Sequence, residues 1–390
     1  RRRPRADARP PPSPGGGPSP PERWGAMSDS VPLPSRRAAR ARAVPTRPGC
    51  MAARLPRALL LACCVAGARG VYSGESAKYL IASSPSTGQI SYIRVRRGGN
   101  LDTMGLVSES FMQVLIGSGL VRPSGLAVDQ ARRKLLVADP GAQKIVSYPL
   151  GSHQGQLVVG SQTTVVQGVE AQWVATDSTG AVYFSDGARN EIAMVPADSG
   201  LRGDALRRRL YNSNNTDQVA TPGGLAADAF AVYWANSGAT GQVGAVVRGL
   251  ERPLPTTENI TVLPRSPTTA LGVCIALDNV YFTQPDRTMY GLKKAGGSAV
   301  AVSDRLLRPR GCTWDGVGTV YVADQGSNAV FSFAGGMQDL RPAELSKTVE
   351  LEDPFDVAVF SKAPRLAPWL LALAVAAAPL LGLGSPAGRG

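Results

Sequence analysis

The stretch GTVYVADQGSNAVFSF, residues 318 to 333, says again what GAVYFSDGARNEIAMV says at 180 to 195. Each is an apolar run, an Asp, a turn rich in Gly and Asn, and a second apolar run. Sliding the pattern along the chain gives six copies, opening at Tyr79, Leu135, Val182, Val232, Val280 and Val320, with intervals of 40 to 56 residues. A β-unit recurring at that spacing is the signature of a ring of blades.

A second motif precedes most copies: an apolar strand closing on Asp129, Asp177, Asp228 or Asp315, with Ala276 in the equivalent place of the fifth copy and Asp278 in its turn. The strands are apolar on both faces, which suits sheets covered on both sides. The small residues Ala138, Ser185, Ala235, Thr283 and Ala323 let neighbouring sheets approach, and runs such as LVVGS and AVAVS supply outer strands. The first copy lacks a leading strand, whereas DPFDVAVF at 353 to 360 lacks a follower. Joining the two predicts an all-β, six-bladed β-propeller closed by pairing Val357–Val359 with Tyr79–Ala82, which leaves no open edge. The four Asp residues are read first as acceptors for turn backbone; a ring of carboxylates on a metal is the sharper, competing reading.

Composition alone points elsewhere, with a formal charge of +13. Residues 1–50 hold +8 of it and residues 51–70 another +3, leaving +2 for the remainder. The excess lies outside the repeats, so they lack the electrostatic footing for nucleic-acid binding. Residues 1–50 are expected to be a disordered Arg/Pro-rich leader; Met27 and Met51 are both candidate starts, and Met51 is preferred. Residues 51–70 have the basic, apolar and Ala-Gly-Ala parts of a secretory signal peptide. The propeller is expected over 71–361. Residues 362–390 contain a charge-free run from 366 to 383, eighteen residues long, read as a C-terminal hydrophobic helix forming a membrane anchor: a single span or a lipid-anchor signal.

Beyond the leader only Cys274 and Cys312 remain. They pair if their strands are neighbours, and two buried free thiols fit as well. The only His in the sequence is His153, in a segment read as a surface loop between blades. No G-x-S-x-G elbow, H-E-x-x-H helix or metal-type C-x-x-C spacing occurs. Asn214 and Asn259 open N-glycosylation sequons, and the basic run 201 to 210 is either a patch for an acidic partner or a solvated face.

PSGLAVD with LLVADPGAQKIVSYPL, and PRGCTWDGVGTVYVADQGSNAVFSF, resemble NHL repeats; GGLAADAFAVYWANSG and VYFTQPDRTMYGLKKAGG resemble the YWTD (LDL-receptor class B) type. The resemblance covers about 78 to 360. It implies six blades and a protein or carbohydrate partner gripped by loops on one face. The candidate binding residues are those of the turns after the VYxxD-like strands: Arg189, Asn190, Asp286, Arg287, Gln325 and Asn328. The expected location is the secretory pathway, at a cell surface or lumenal membrane with the propeller on the extracytoplasmic side. No cofactor, catalytic residue or metal ligand is expected. The alternative is a metal-dependent hydrolase or lactonase, for which calcium in the central channel is the ion to consider.

Overall fold

The computed structural model describes residues 77–96, 106–107, 111–197, 207–238, 245–253, 260–263 and 269–362. The expected leader, signal peptide and C-terminal anchor, together with Asn259 and residues 201–206, lie outside them. No helix among the described residues is long and apolar enough to cross a membrane.

Six antiparallel sheets stand in a ring. Their first, innermost strands are Val357–Ser361, Leu126–Asp129, Ala171–Thr176, Pro222–Ala227, Val273–Ala276 and Pro309–Trp314 for blades one to six. The second strands are Lys78–Ser84, Lys134–Asp139, Val182–Asp186, Ala231–Asn236, Asn279–Thr283 and Thr319–Asp324. Third strands follow at Gln89–Arg96, Lys144–His153, Glu191–Val195, Val246–Leu250, Met289–Lys293 and Ala329–Ala334. Blade one is composite: Val357–Ser361 runs antiparallel to Lys78–Ser84, in the register Tyr79↔Phe360, Leu80↔Val359, Ile81↔Ala358 and Ala82↔Val357.

The two-faced strands do what their composition requires. Val182–Asp186 is buried throughout, with Tyr183 in the apolar layer shared with blade four and Phe184 in the layer shared with blade two. Each of the six blade-to-blade interfaces holds one such layer. Burial of these aromatic and branched side chains supplies the main driving force, at roughly 25 cal/mol per Å² of apolar surface.

Beneath the apolar layers the inner strands are stitched blade to blade by six hydrogen bonds of two alternating kinds. Odd blades use a side-chain hydroxyl from the second strand: Ser83 Oγ donates to Ser124 O at 2.5 Å, Ser185 Oγ to Gly223 O at 2.7 Å, and Thr283 Oγ1 to Arg310 O at 2.7 Å. Even blades use a glycine amide in or just before the first strand: Gly125 N donates to Gln172 O at 2.8 Å, Gly224 N to Leu271 O at 2.5 Å, and Gly311 N to Phe355 O at 2.9 Å. The chain of donors returns to blade one, where it began. Glycine is required here by space. A Cβ on Gly311 would sit 1.9 Å from Asp356 Oδ1, and one on Gly272 would sit 2.2 Å from Arg310 O.

Two details differ from the sequence reading. LVVGS is not the outer strand of blade two: Gln156–Val159 folds back on an extended third strand as a hairpin, and Thr163–Gln167 takes the outer position. His153 accordingly ends the third strand beside that hairpin's turn instead of lying between blades. Cys274 and Cys312 are joined by a disulfide between the inner strands of blades five and six.

Gly272→Ala is expected to lower stability by about 3 kcal/mol, because the clash is with backbone that cannot rotate away. Gly318→Ala, where an added Cβ meets nothing within 4 Å, is expected to cost under about 0.5 kcal/mol. Urea melts of both variants check this, and equal midpoints would contradict it.

Candidate functional site

The inner strands enclose a central cavity of about 270 Å³, walled by residues such as Leu126, Val174, Leu225, Val273, Val357 and the Cys274–Cys312 pair. Across one end, the Phe355 and Trp173 rings meet at 4.7 Å, and the Arg310 guanidinium lies 5.8 Å from the Phe355 centroid. Asp356 is the only ionisable side chain in the wall among the described residues. Its Oδ2 accepts from Leu126 N and its Oδ1 from Val357 N, both at 2.8 Å. Burial nevertheless dominates and pushes its pKa up to about 7, with the two backbone donors pulling the other way.

The four Asp residues that close first strands hold turns together. Asp177 Oδ1 accepts from Thr179 N and Ala181 N, and Asp315 Oδ1 from Val317, Gly318 and Thr319 N. Asp129 accepts from Arg132 N, and Asp228 from Phe230 and Ala231 N. Two of them also tie blades to each other: Lys294 Nζ donates to Asp228 at 2.9 Å and Lys78 Nζ to Asp315 at 2.7 Å. Burial opposes ionisation of both acids, but the lysine and the turn amides outweigh it and hold each below the usual carboxylate value.

A second set of acids, closing the second strands, was left without a role by the sequence reading although it stands in the same quoted motif. Asp139 and Asp324 are fully buried. Asp139 accepts from Val121 and Arg122 N, and Asp324 from Leu307 and Arg308 N. Each thus fastens the segment that enters its own blade's first strand.

The six candidate binding residues share one face, at the turns between second and third strands of blades three, five and six. Four of them bind neighbouring backbone or linker. Asn190 Nδ2 donates to Val219 O at 2.8 Å, and its Oδ1 accepts from Thr221 N at 2.7 Å. Asn328 Oδ1 accepts from Asp353 N at 2.9 Å, Arg287 Nε donates to Leu306 O at 3.0 Å, and Gln325 bridges Arg310 and Asp353. Asn190, Arg287 and Asn328 have φ of 51°, 80° and 48°, the left-handed conformation that Asn tolerates better than most residues. Arg189, Asp286, Arg287 and Asn328 are exposed; Arg189 is held by Asp186 at 2.7 Å, and Asp286 accepts from Thr288 N at 3.3 Å.

A channel ion of the hydrolase kind needs several oxygen donors converging. Among the described residues no three His, Cys, Asp or Glu side chains come together, and both oxygens of Asp356 are occupied by amides. The described residues thus gather no set of carboxylates around the channel for such an ion.

No family model and no curated protein matches the chain. Among solved structures it is similar to a chain in a nidogen/laminin complex, with a TM-score of 0.55, 15% identity, and coverage of 74% of this chain and 100% of that one. The chain is a six-bladed β-propeller. Virginiamycin B lyase from Staphylococcus aureus aligns at a TM-score of 0.45 and 13% identity over 73% of this chain and 89% of that one. TolB from Acinetobacter baumannii aligns at 0.47 and 10% over 77% and 71%. Likeness at these identities is likeness of fold.

An acid that keeps its proton more tightly when folded costs stability only where it is ionised. The propeller should therefore be most stable in weak acid and lose up to about 4 kcal/mol as pH rises through Asp356's window toward 7 and above. Below the ordinary carboxylate range the sign reverses, as Asp228 and Asp315 take up protons and release their lysines. Urea midpoints at pH 5 and pH 8 read the first effect; a midpoint that rises between them would contradict it.

Proposed function

We propose that this propeller is a secreted or membrane-tethered binding module that engages a protein partner through the face carrying the turns between second and third strands. The observation that carries the reading is the distribution of polar groups. The channel wall offers a single acid bonded to scaffold amides, whereas Arg189 and Asp286 stand exposed on turns pinned by Asn190, Arg287, Gln325 and Asn328. Rigidly held loops that present exposed charged side chains are built for recognition.

Three further observations support the reading. The structural likeness to a chain from a nidogen/laminin complex is a likeness to a propeller crystallised with a protein partner. The Cys274–Cys312 disulfide suits an oxidising compartment, which supports reading residues 51–70 as a secretory signal. Asn214 is exposed in the turn after Arg208–Asn212, accessible to glycosylation there.

The test displays the full chain on expressing cells and crosslinks it to its neighbours. Arg189→Glu with Asp286→Arg should remove a crosslinked partner that the outer-strand control Lys347→Glu retains. Retention of every partner by the double variant would sink the choice of face. Asn214→Gln should also remove an endoglycosidase-sensitive mass increment, and its persistence with Asn259→Gln present would contradict lumenal exposure at these sites.

A further inference from the structure

In each of blades two to six the first strand ends, and the second begins, on one face of the ring. In blade one the chain itself breaks there: Lys78 pairs with Ser361, and Lys362 N donates to Ala77 O at 2.9 Å. The chain therefore leaves the propeller on this face, and the charge-free run begins at Leu366. The four steps from Lys362 to Leu366 span at most about 14 Å. If that run enters a membrane, this face is held against the surface and the opposite one is turned away.

The face carries side chains suited to that position. At the turn between first and second strands, the consecutive blades four, five and six present Phe230, Leu277 and Val317, which are 77%, 56% and 54% exposed. Single exposed apolar residues are ordinary, but three at one structural position in adjacent blades form a patch. Across the ring, the same turn of blade two exposes Arg133 and Lys134, and Lys362 lies beside the chain exit with Lys78, the latter paired with Asp315. The acids of these turns, Asp129, Asp177, Asp228 and Asp315, are tied up by turn amides; Asp278 is the exposed exception. Apolar tips with flanking bases are what the headgroup boundary of an anionic bilayer accepts. The sequon at Asn214 follows the outer strand at its Glu191-paired end, on the opposite face, where a glycan would not obstruct contact.

We propose that the face bearing Phe230, Leu277 and Val317 docks on a lipid bilayer, with the three side chains entering the headgroup boundary and the partner-binding turns facing away. This rests on the reading of 366–383 as a membrane anchor, and the experiment separates the two.

Full chain is reconstituted in phosphatidylcholine and phosphatidylserine vesicles with plain or brominated acyl chains, and tryptophan emission is compared. Trp369 lies within the apolar run and Trp314 closes the first strand of blade six beside the docking turn, so native emission should fall on brominated lipid, and Trp24→Phe with Trp314→Phe and Trp369→Phe should abolish that loss. In this background Phe230→Trp and, independently, Leu277→Trp should restore quenching, while Val121→Trp on the opposite face should not. Quenching of native protein but of neither Phe230→Trp nor Leu277→Trp would overturn the docking and leave the anchor standing. Equal quenching of Val121→Trp would overturn the orientation. Absence of quenching in the native chain would overturn the anchor, and the docking with it.

Discussion

Everything in this molecule depends on six sheets approaching one another closely enough, at their inner ends, for hydrogen bonds to pass from blade to blade and return to the first. A net contribution of about 1 kcal/mol per bond is modest. The larger consequence is geometric, because a carbonyl buried between blades must find a donor or cost more than the bond is worth. Serine or threonine hydroxyls from odd blades and glycine amides from even blades fill that need by turns. The alternation divides the ring into three pairs of blades, a three-fold pattern within the six. The disulfide between blades five and six adds a covalent link at the same inner radius.

Close inner packing also decides where function can reside. It narrows the channel, lets Phe355 meet Trp173 across its end, and buries Asp356 until its proton affinity approaches neutrality. The two rims of the ring differ. One displays charged turns braced by Asn190 and Asn328; the other displays apolar tips, clustered bases and the exit of the chain. A ring with two unlike faces is suited to standing between a surface and a partner.

Much of this was legible because repetition makes weak local signals add. The two-faced strands, the turn-holding roles of Asp177 and Asp315, and the small residues Ser185 and Thr283 all follow from aligning the copies. What escaped was whatever depends on contacts between copies. Asp324 looks like any turn residue until Leu307 and Arg308 are seen donating to it. The scaffold bonds of Asn190 and Asn328 escaped because their linker partners lie 31 and 25 residues downstream. LVVGS has the composition of an outer strand, and only the ten-residue length of Lys144–His153 makes it a hairpin instead. The pairing of Cys274 with Cys312 needed the strands to be known neighbours.

The most direct measurement of the account is native-state hydrogen exchange at the Gly125, Gly224 and Gly311 amides, the three backbone donors of the girdle. If the ring is one closed cooperative unit, all three exchange only through global unfolding and share its free energy. Gly311 exchanging far faster than the other two would show the join between blades six and one opening on its own, and would contradict the account.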